Sequence, residues 1–270
     1  MTARSGNYLP IFSVRKQVSE IAGIWLKICL FQRNNRCMSM KIRRLTLYSL
    51  LLNLFLILFF IGKRTYYYFS SGPSDSDKAY SDLLNKGRTQ TLNALPLDSS
   101  NIVFIGDSQT EKFPIDEMFN NPRLRNRGIG QNTSAHILGR IGPIIAAHPA
   151  KIFLQMGLND IAEWVSTDSI LTNYDRVIKM IRAGSPQTQV YIQSTFPLTG
   201  IRENARWETQ VEKLNSRLKD YCRQEGIVYI DIFPRLYKDN GLDTSFTWDG
   251  CHLNSKGYAI WKQIVDSLMD

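Results

Sequence analysis

A serine that follows a buried apolar run is the first side chain in the sequence that could do chemistry. Ser108 lies in the segment Gly106-Asp107-Ser108-Gln109, directly after the run 102–105. Glycine lets a chain turn sharply off a strand, and a serine that starts the next helix lies where backbone N–H groups stabilise negative charge. Ser108 is therefore a candidate nucleophile, although a helix-capping serine has the same local signature.

An aspartate and a histidine near the C-terminus have the spacing needed to activate such a serine. Asp249 precedes His252 by three residues. In a turn, this spacing lets the carboxylate reach ring Nδ1 and fix the tautomer. The other histidines, His136 and His148, lie in a predicted helix and in a loop. We interpret both as surface or packing residues.

Two further strand ends carry groups that can stabilise a developing oxyanion. Asn159 lies in Gly157-Leu158-Asn159-Asp160, after the apolar run 151–156, and its side-chain amide is a donor. The glycine-containing loop 126–133 follows another run and offers backbone N–H groups. Each feature alone is also typical of an ordinary turn. We interpret Asp107 and Asp160 as structural residues that hydrogen-bond to neighbouring turns.

Alternating strands and helices must position these groups. Short apolar runs predict strands at 102–105, 123–127, 151–156, 189–194 and 227–230. Helical spacing predicts helices at 135–147, 168–183, 203–225 and 255–269. This order predicts an α/β fold, a three-layer α/β/α sandwich with a five-stranded parallel sheet. Chemistry in such folds gathers at the carboxyl ends of the strands, where the candidates fall.

The ordered set of motifs resembles the SGNH/GDSL hydrolases over residues 99–270. It is most similar to the branch of platelet-activating-factor acetylhydrolase-like esterases and carbohydrate O-acetylesterases. The resemblance implies the flavodoxin-like SGNH fold, with Ser108 as nucleophile, His252 as base and Asp249 as the group that orients the base. It also implies an oxyanion hole made by the Ser108 N–H, the Asn159 amide and a loop N–H. It implies no metal and no organic cofactor.

The loop departs from the family pattern at one position. The family commonly has N-x-G-x-G-G-D-T there, whereas this chain reads NRGIGQNT. Aligning Asn126 and Thr133 puts Gln131 where the family has its donor glycine. Because a backbone N–H survives this change, the loop donor stays open between Gly130 and Gln131.

An uncharged apolar stretch precedes these motifs. Residues 45–62 read LTLYSLLLNLFLILFFIG, which is long enough to cross a membrane. Residues 1–44 carry nine Lys or Arg and one acidic residue, and only Lys63 and Arg64 directly follow the stretch. The positive-inside rule predicts a cytoplasmic N-terminus and a periplasmic or extracellular catalytic domain. No small-x-small cleavage site follows Gly62, which favours a retained signal anchor.

The excess of basic over acidic residues lies almost entirely in this N-terminal segment. The chain has 33 Lys and Arg against 24 Asp and Glu, a net charge of +9. Without residues 1–44, 33 − 9 = 24 basic and 24 − 1 = 23 acidic residues remain. We therefore expect no nucleic-acid partner, because a nucleic-acid-binding domain carries its own basic face.

These features divide the chain into four predicted segments. They are a basic cytoplasmic segment (1–44), a transmembrane anchor (45–62), a linker (63–98) and a hydrolase domain (99–270). Within the linker, the mixed composition of 78–95 predicts a short helix. Translation that starts at Met38 or Met40, directly before the basic flank, is a further hypothesis that an intact mass would test.

Four cysteines are split between the segments. Cys29 and Cys37 lie in the N-terminal segment, whereas Cys222 and Cys251 lie in the predicted hydrolase domain, without metal-ligand spacing. An oxidising compartment permits a bridge between the latter two. We favour two free, buried thiols, and the sequence leaves the bridge open.

The expected activity is hydrolysis of short-chain esters, acetyl first, in small-molecule, glycan or cell-envelope substrates. Short acyl groups are favoured because no large insertion between the motifs can form a lid. Trp164, Phe196 and Trp248 either line the pocket or pack in the core. Three alternatives stay open: an O-acyltransferase with the same triad, a lysophospholipase or thioesterase, and an inactive tethered binding module. The sequence predicts no oligomeric state.

Overall fold

The computed structural model describes residue 27 and residues 40–70, 75–199 and 205–269. The chain divides into two compact units, residues 1–74 and 75–270. Cys29, Cys37 and Met38 lie outside the described residues, and so do residues 71–74 of the predicted linker.

The first unit contains one long helix, α1, which runs from Met40 to Ser70. Its stretch Arg44–Lys63 is 20 residues long and strongly apolar, and none of it is buried. Leucine and phenylalanine side chains face outward all round this stretch, which is typical of a helix in a lipid environment rather than of a core helix. By length and composition, α1 can therefore cross a membrane.

The second unit is built on a five-stranded parallel sheet, as predicted. Its strands follow the order β2-β1-β3-β4-β5. Their bounds are β1 Ile102–Gly106, β2 Leu124–Gly128, β3 Lys151–Leu154, β4 Gln189–Gln193 and β5 Val228–Ile230. In register, Gly106 of β1 pairs with Gly128 of β2, and Ile105 of β1 pairs with Leu154 of β3, so the carboxyl ends of these strands lie side by side.

Helices cover both faces of this sheet. The longer ones are α2 Asp75–Ala94, α8 Thr167–Gly184, α9 Ala205–Glu225 and α11 Ser255–Val265. The shorter ones are α3 Ser108–Glu111, α4 Ile115–Phe119, α5 Ser134–Arg140, α6 Gly142–Ala146, α7 Leu158–Ala162 and α10 Phe233–Leu236. A two-stranded hairpin, β6 Tyr237–Lys238 and β7 Gly241–Leu242, follows α10.

One predicted helix is broken in two. The prediction ran from 135 to 147, whereas the structure has α5 and α6, with Pro143 in the first turn of α6. Proline has no N–H to donate to the preceding turn, so it starts a helix better than it continues one. The sequence predicted a helix start at Ser108, where α3 begins, but it did not predict the short helices α4 and α7, because five residues carry too little periodicity.

Two cores form on opposite faces of the sheet. Val103 and Ile105 of β1 pack with α5 to α9 on one face. Ile102 and Phe104 pack with α4, α10 and α11 on the other, around the fully buried Trp261. Successive residues of a strand point to opposite faces, so a continuous apolar strand must be covered on both. This confirms the predicted three-layer arrangement.

The second unit begins earlier than the domain boundary predicted at residue 99. Helix α2, which the sequence placed in the linker, belongs to this unit. Its residue Leu92 is buried, and the Ser81 hydroxyl donates a hydrogen bond to the Gln131 side chain. These tertiary contacts depend on distant residues and leave no mark on the local sequence pattern.

The two cysteines of this unit are not joined to each other by a disulfide. Cys222 is buried, and burial raises the pKa of its thiol to about 12. Cys251 is only partly buried, so the expectation of a buried thiol is wrong at this position. It lies in the turn that carries His252, at the rim of the sheet.

Candidate active site

Ser108 follows the carboxyl end of strand β1, which lies between β2 and β3 in the sheet, and is the first residue of α3. Asp107 caps this short helix, since its side chain accepts a hydrogen bond from the Gln109 N–H at 2.9 Å. Gly106 is required just before it, because a Cβ at that position would overlap the Thr110 hydroxyl. The serine is thereby held in a tight strand-to-helix turn.

The Asp249–His252 turn lies just before the last helix and is fixed by its own hydrogen bonds. Asp249 Oδ1 accepts from the N–H groups of Cys251 (2.9 Å) and His252 (2.7 Å). Gly250 has a φ of +82°, and a Cβ there would overlap the Thr199 carbonyl. This backbone conformation favours glycine.

The structure brings Ser108, Asp249 and His252 together. His252 Nδ1 lies 2.7 Å from Asp249 Oδ2, and His252 Nε2 lies 3.0 Å from Ser108 Oγ. Burial opposes ionisation of Asp249, but hydrogen bonds from the His252 ring and from two backbone N–H groups outweigh it and lower the pKa to about 2. An ionised carboxylate at Nδ1 keeps a proton there and leaves Nε2 to accept the serine proton.

Gln109 ties the serine turn to the histidine turn. The side-chain amide of Gln109 donates to the Cys251 backbone carbonyl at 2.6 Å. The backbone carbonyl of Gln109 accepts from the Tyr258 hydroxyl at 3.1 Å. These contacts join residues more than 140 positions apart in the chain. Sequence reasoning missed this role of Gln109, because nothing local separates a structural glutamine from a surface one.

The three candidate oxyanion donors line one cavity with Ser108 and His252. The Asn159 amide donates one hydrogen bond, to the Asn132 carbonyl at 3.0 Å. The Gly130 N–H donates to the Glu111 carboxylate at 3.0 Å. No acceptor for the Gln131 N–H is found among the described residues. Gln131 has a φ of +60°, so it keeps the left-handed conformation that a glycine adopts easily.

Arg140 connects the loop 126–133 to the end of β1 through two hydrogen bonds. Its Nε donates to Asn132 Oδ1 at 2.7 Å, and its Nη2 donates to the Gly106 carbonyl at 3.0 Å. Burial, together with the nearby Arg127 charge, lowers the pKa of Arg140 to about 10. Sequence reasoning did not identify this residue, because an arginine in a helix is normally read as exposed.

The remaining polar candidates have their hydrogen bonds in turns and caps. Asp160 accepts from the Ser134 N–H (2.7 Å) and hydroxyl (2.6 Å). Burial raises the pKa of both buried aspartates, and that of Asp107 reaches about 6. His136 closes a capping box at the start of α5, and His148 Nδ1 lies 3.3 Å from a serine hydroxyl. Among the described residues, no group of His, Cys, Asp and Glu side chains is arranged to hold a metal ion.

The cavity over Ser108 has a wall that the sequence did not predict. Its volume is about 750 Å³, and α2 supplies one wall with Tyr80, Ser81, Leu84, Asn85 and Arg88. The sequence has no large insertion between the motifs, and this wall comes instead from the helix that precedes them. Trp207 lines the cavity.

The three aromatic residues singled out from the sequence do not line this cavity. Phe196 is buried against Trp261. Trp164 packs on Trp207, and the exposed Trp248 stacks on the His252 ring with centroids 5.6 Å apart. The cavity is therefore lined by Trp207 rather than by these three residues.

Comparisons with known proteins agree with this fold. The model of the GDSL-like lipase/acylhydrolase family matches residues 104–260, more than half of the chain. The chain is 25% identical over 154 residues to N-acylneuraminate cytidylyltransferase of Streptococcus agalactiae, a match that covers 57% of this chain and 35% of that enzyme. The chain thus spans about a third of the length of these curated relatives.

Solved structures with the same fold include two bacterial proteins. One, from Streptococcus pneumonia, is named as a platelet activating factor; its TM-score is 0.65 at 23% identity, covering 72% of this chain and 96% of that one. The other, from Bacteroides fragilis, is named as an acylhydrolase; its TM-score is 0.61 at 25% identity, covering 68% and 94%.

Proposed function

Since the chain belongs to the GDSL-like lipase/acylhydrolase family, we propose that it is an ester-bond hydrolase, a membrane-anchored serine esterase that uses Ser108, His252 and Asp249. One observation carries the proposal. Hydrogen bonds run without a gap from the Asp249 carboxylate through the His252 ring to the Ser108 hydroxyl, at 2.7 and 3.0 Å. Nucleophile, base and orienting group of acyl transfer need this order and these distances.

In the first step, His252 Nε2 takes the proton of Ser108 as Oγ attacks the ester carbonyl. The ring becomes an imidazolium, which the ionised Asp249 stabilises through Nδ1–H. The imidazolium then gives its proton to the leaving alcohol oxygen, and the acyl group stays on Ser108. Water attacks this acyl-enzyme with His252 again as base, which releases the acid and restores the serine.

The tetrahedral intermediates carry a negative oxygen that needs donors. We assign these to the Ser108 N–H at the start of α3, the Asn159 amide and one N–H of the loop. For the loop donor we favour Gln131 over Gly130, because the Gly130 N–H already donates to Glu111. The positive φ of Gln131 supports this choice, since it preserves the backbone course expected of the family's glycine.

For the substrate, we propose short-chain esters, acetyl first, carried on a carbohydrate or another cell-envelope molecule. Serine, asparagine and arginine side chains on the α2 wall supply hydrogen-bond donors for a polar alcohol portion. The matched curated relatives are named for an N-acylneuraminate, an acylated acidic sugar, which supports a carbohydrate substrate. An O-acyltransferase would use the same residues with a sugar hydroxyl in place of water.

A second candidate is a thioesterase or lysophospholipase. The cavity volume of about 750 Å³ and its apolar lining at Leu84, Ile129, Leu198 and Trp207 favour it, because an acetyl group fills little of that space. The chain length of the best substrate separates the two candidates.

We further propose that α1 anchors the enzyme, with the N-terminus in the cytoplasm and the catalytic unit outside. The apolar stretch of 20 residues supports an anchor, and the excess of basic residues before it supports this orientation. The layout of basic segment, anchor, linker and hydrolase domain follows, with α2 counted as part of the hydrolase unit.

The test is a panel of chromogenic esters from acetate to palmitate, with the full chain in a neutral detergent. We expect acetate or butyrate to be the best substrate and Ser108→Ala to lose at least about 10⁴-fold in kcat/KM. The matched control is Ser216→Ala, which removes an exposed hydroxyl on α9 and should keep full activity.

Equal rates for Ser108→Ala and the wild type would remove Ser108 as nucleophile and leave a different mechanism or a tethered binding module. A preference for palmitate would favour the second candidate. Product formation that rises with an added sugar acceptor would identify a transferase.

A further inference from the structure

Three arginines gather at the outer edge of the sheet, on the side of strand β2 that pairs with no other strand. Arg125 and Arg127 lie two residues apart on β2, and Arg88 comes from α2. The three line a cavity of about 620 Å³ that contains neither Ser108 nor His252. We call Arg88, Arg125 and Arg127 the arginine cluster.

Arg127 is buried, and part of its guanidinium group has no hydrogen-bond acceptor among the described residues. It is 4% exposed, and its Nη1 donates to the Asn126 carbonyl at 3.2 Å. Its Nε and Nη2 are buried, and no acceptor for them is found among the described residues. A buried donor that has lost water without gaining an acceptor is costly, the more so when it carries a charge. Such a side chain calls for an acceptor that the described residues do not supply.

Too few acids lie near the cluster to balance it. Arg140 adds a fourth positive charge close to Arg127, whereas Asp98, Glu111 and Asp116 are the acids that interact with this group. In the described part of the chain, the one ion pair within 4 Å that involves an arginine of the cluster is Arg88 with Glu111, at 3.7 Å. Four positive charges against three negative charges leave +1. Burial, reinforced by Arg125 and Arg88, lowers the pKa of Arg127.

We propose that the arginine cluster binds a phosphate-bearing anion. A phosphate monoester near neutral pH carries a charge close to −2 and three acceptor oxygens, which can neutralise the excess positive charge and satisfy the unpartnered donors. The planar guanidinium group recognises phosphate through paired hydrogen bonds. The cavity exceeds the size of phosphate alone and is also lined by Leu92, Leu95, Pro122 and Leu124. It therefore fits a phosphorylated molecule with an apolar portion, either free or in a lipid headgroup.

The test measures thermal unfolding of the full chain in neutral detergent with increasing inorganic phosphate, and in phosphatidylcholine nanodiscs with and without phosphatidic acid. The variants are Arg127→Leu and Arg88→Gln, of which the second changes an exposed side chain and should fold normally. Arg182→Gln is the matched control, because Arg182 is exposed and pairs with Glu225 outside the cluster.

We expect a saturating ligand to raise the Tm of the wild type and of Arg182→Gln by at least about 2 °C. Arg127→Leu and Arg88→Gln should bind at least about 10-fold more weakly. A shift with inorganic phosphate identifies a free ligand, and a shift with phosphatidic acid alone identifies a headgroup. The proposal is overturned if neither probe shifts the wild type, or if both variants keep the full shift. Because Ser108 is unchanged in every variant, this result is independent of the esterase test.

Discussion

The Asp249–His252 turn and the arginine cluster both take charged groups out of water, but they treat them in opposite ways. In the turn, the Asp249 carboxylate receives three hydrogen bonds and is held with its pKa at about 2. In the cluster, Arg127 is almost fully buried with two donors that no described residue satisfies. The first arrangement is complete in itself and positions a proton transfer. In the second, the Arg127 donors gain acceptors only when a ligand binds. The number of hydrogen-bond partners within the protein therefore distinguishes a positioned reactive group from a group that binds a ligand.

Glu111 lies between the two regions. Its carboxylate accepts from the Gly130 N–H in the candidate oxyanion loop and pairs with Arg88 of the cluster. Substitutions at Asp249, Asn159, Asp107 and Glu111 therefore test how far the contrast holds. They follow in order of expected effect.

The largest effect is expected from Asp249→Asn. An amide at Oδ2 would donate where the ring needs an acceptor, which favours the wrong His252 tautomer, so kcat should fall by about 10³ to 10⁴-fold. Steady-state kinetics with an acetate ester measure this. Asp243→Asn is the matched control, because Asp243 also caps a turn through its side chain but lies outside the cavity. A loss below about 10-fold would show that the partners of Asp249 matter only for structure.

Asn159→Ala should have the next largest effect. Removal of one oxyanion donor costs about 100 to 1000-fold in kcat, with little change in KM, because the donor acts on the transition state. Asn173→Ala is the control, since Asn173 also donates through its amide, to the Ser134 hydroxyl, but does not line the cavity. A rise in KM at constant kcat would instead assign Asn159 to substrate binding.

Asp107→Asn tests whether a buried carboxylate with few partners destabilises the fold. Burial raises the Asp107 pKa to about 6, above its ordinary value of 3.8. The stability that this shift contributes is present below the unfolded pKa and is lost as pH rises through about 6. Between about pH 4 and pH 8, the wild type should therefore lose up to about 3 kcal/mol relative to Asp107→Asn.

Urea unfolding of both proteins across that pH range measures the difference. Asp249 provides the internal contrast: its lowered pKa contributes stability above 3.8 that is lost only as pH falls through about 2. Parallel curves for wild type and Asp107→Asn would mean that Asp107 has partners beyond the Gln109 N–H.

The smallest effect is expected from Glu111→Ala, which leaves the Gly130 N–H and Arg88 without their shared carboxylate. We expect kcat to fall about 10-fold as the loop loosens, since a hydrogen bond to a charged group contributes about 1.5–3 kcal/mol. Glu111→Gln keeps an acceptor oxygen and should restore most of the rate. The exposed Glu117→Ala serves as control. Failure of the glutamine variant to rescue would mean that the negative charge, rather than the hydrogen bond, is what the loop requires.

Much of the architecture was predictable because its causes are local. All five strands and the two long helices α8 and α9 were expected within a few residues, since buried apolar runs and helical spacing extend over enough sequence to be read. Domain boundaries were less predictable. The partly buried face of helix α2 carries the polar residues Ser81, Asn85 and Thr89. Its packing against the rest of the second unit is therefore not visible as a periodic pattern of apolar residues.

The sequence by itself determined which residues are candidates for the chemistry. Ser108, Asp249 and His252 were singled out by type, by spacing and by the family resemblance, and they were expected to meet at the carboxyl ends of the strands. Only the tertiary structure decided which groups support and surround them: the Gln109 bridge, the carboxylate of Glu111 on the loop, the α2 wall and the unpartnered Arg127. The physical reason is that reactivity depends on the chemistry of individual side chains, and short sequence motifs contain these side chains. Partner number and burial depend instead on contacts between residues far apart in the chain.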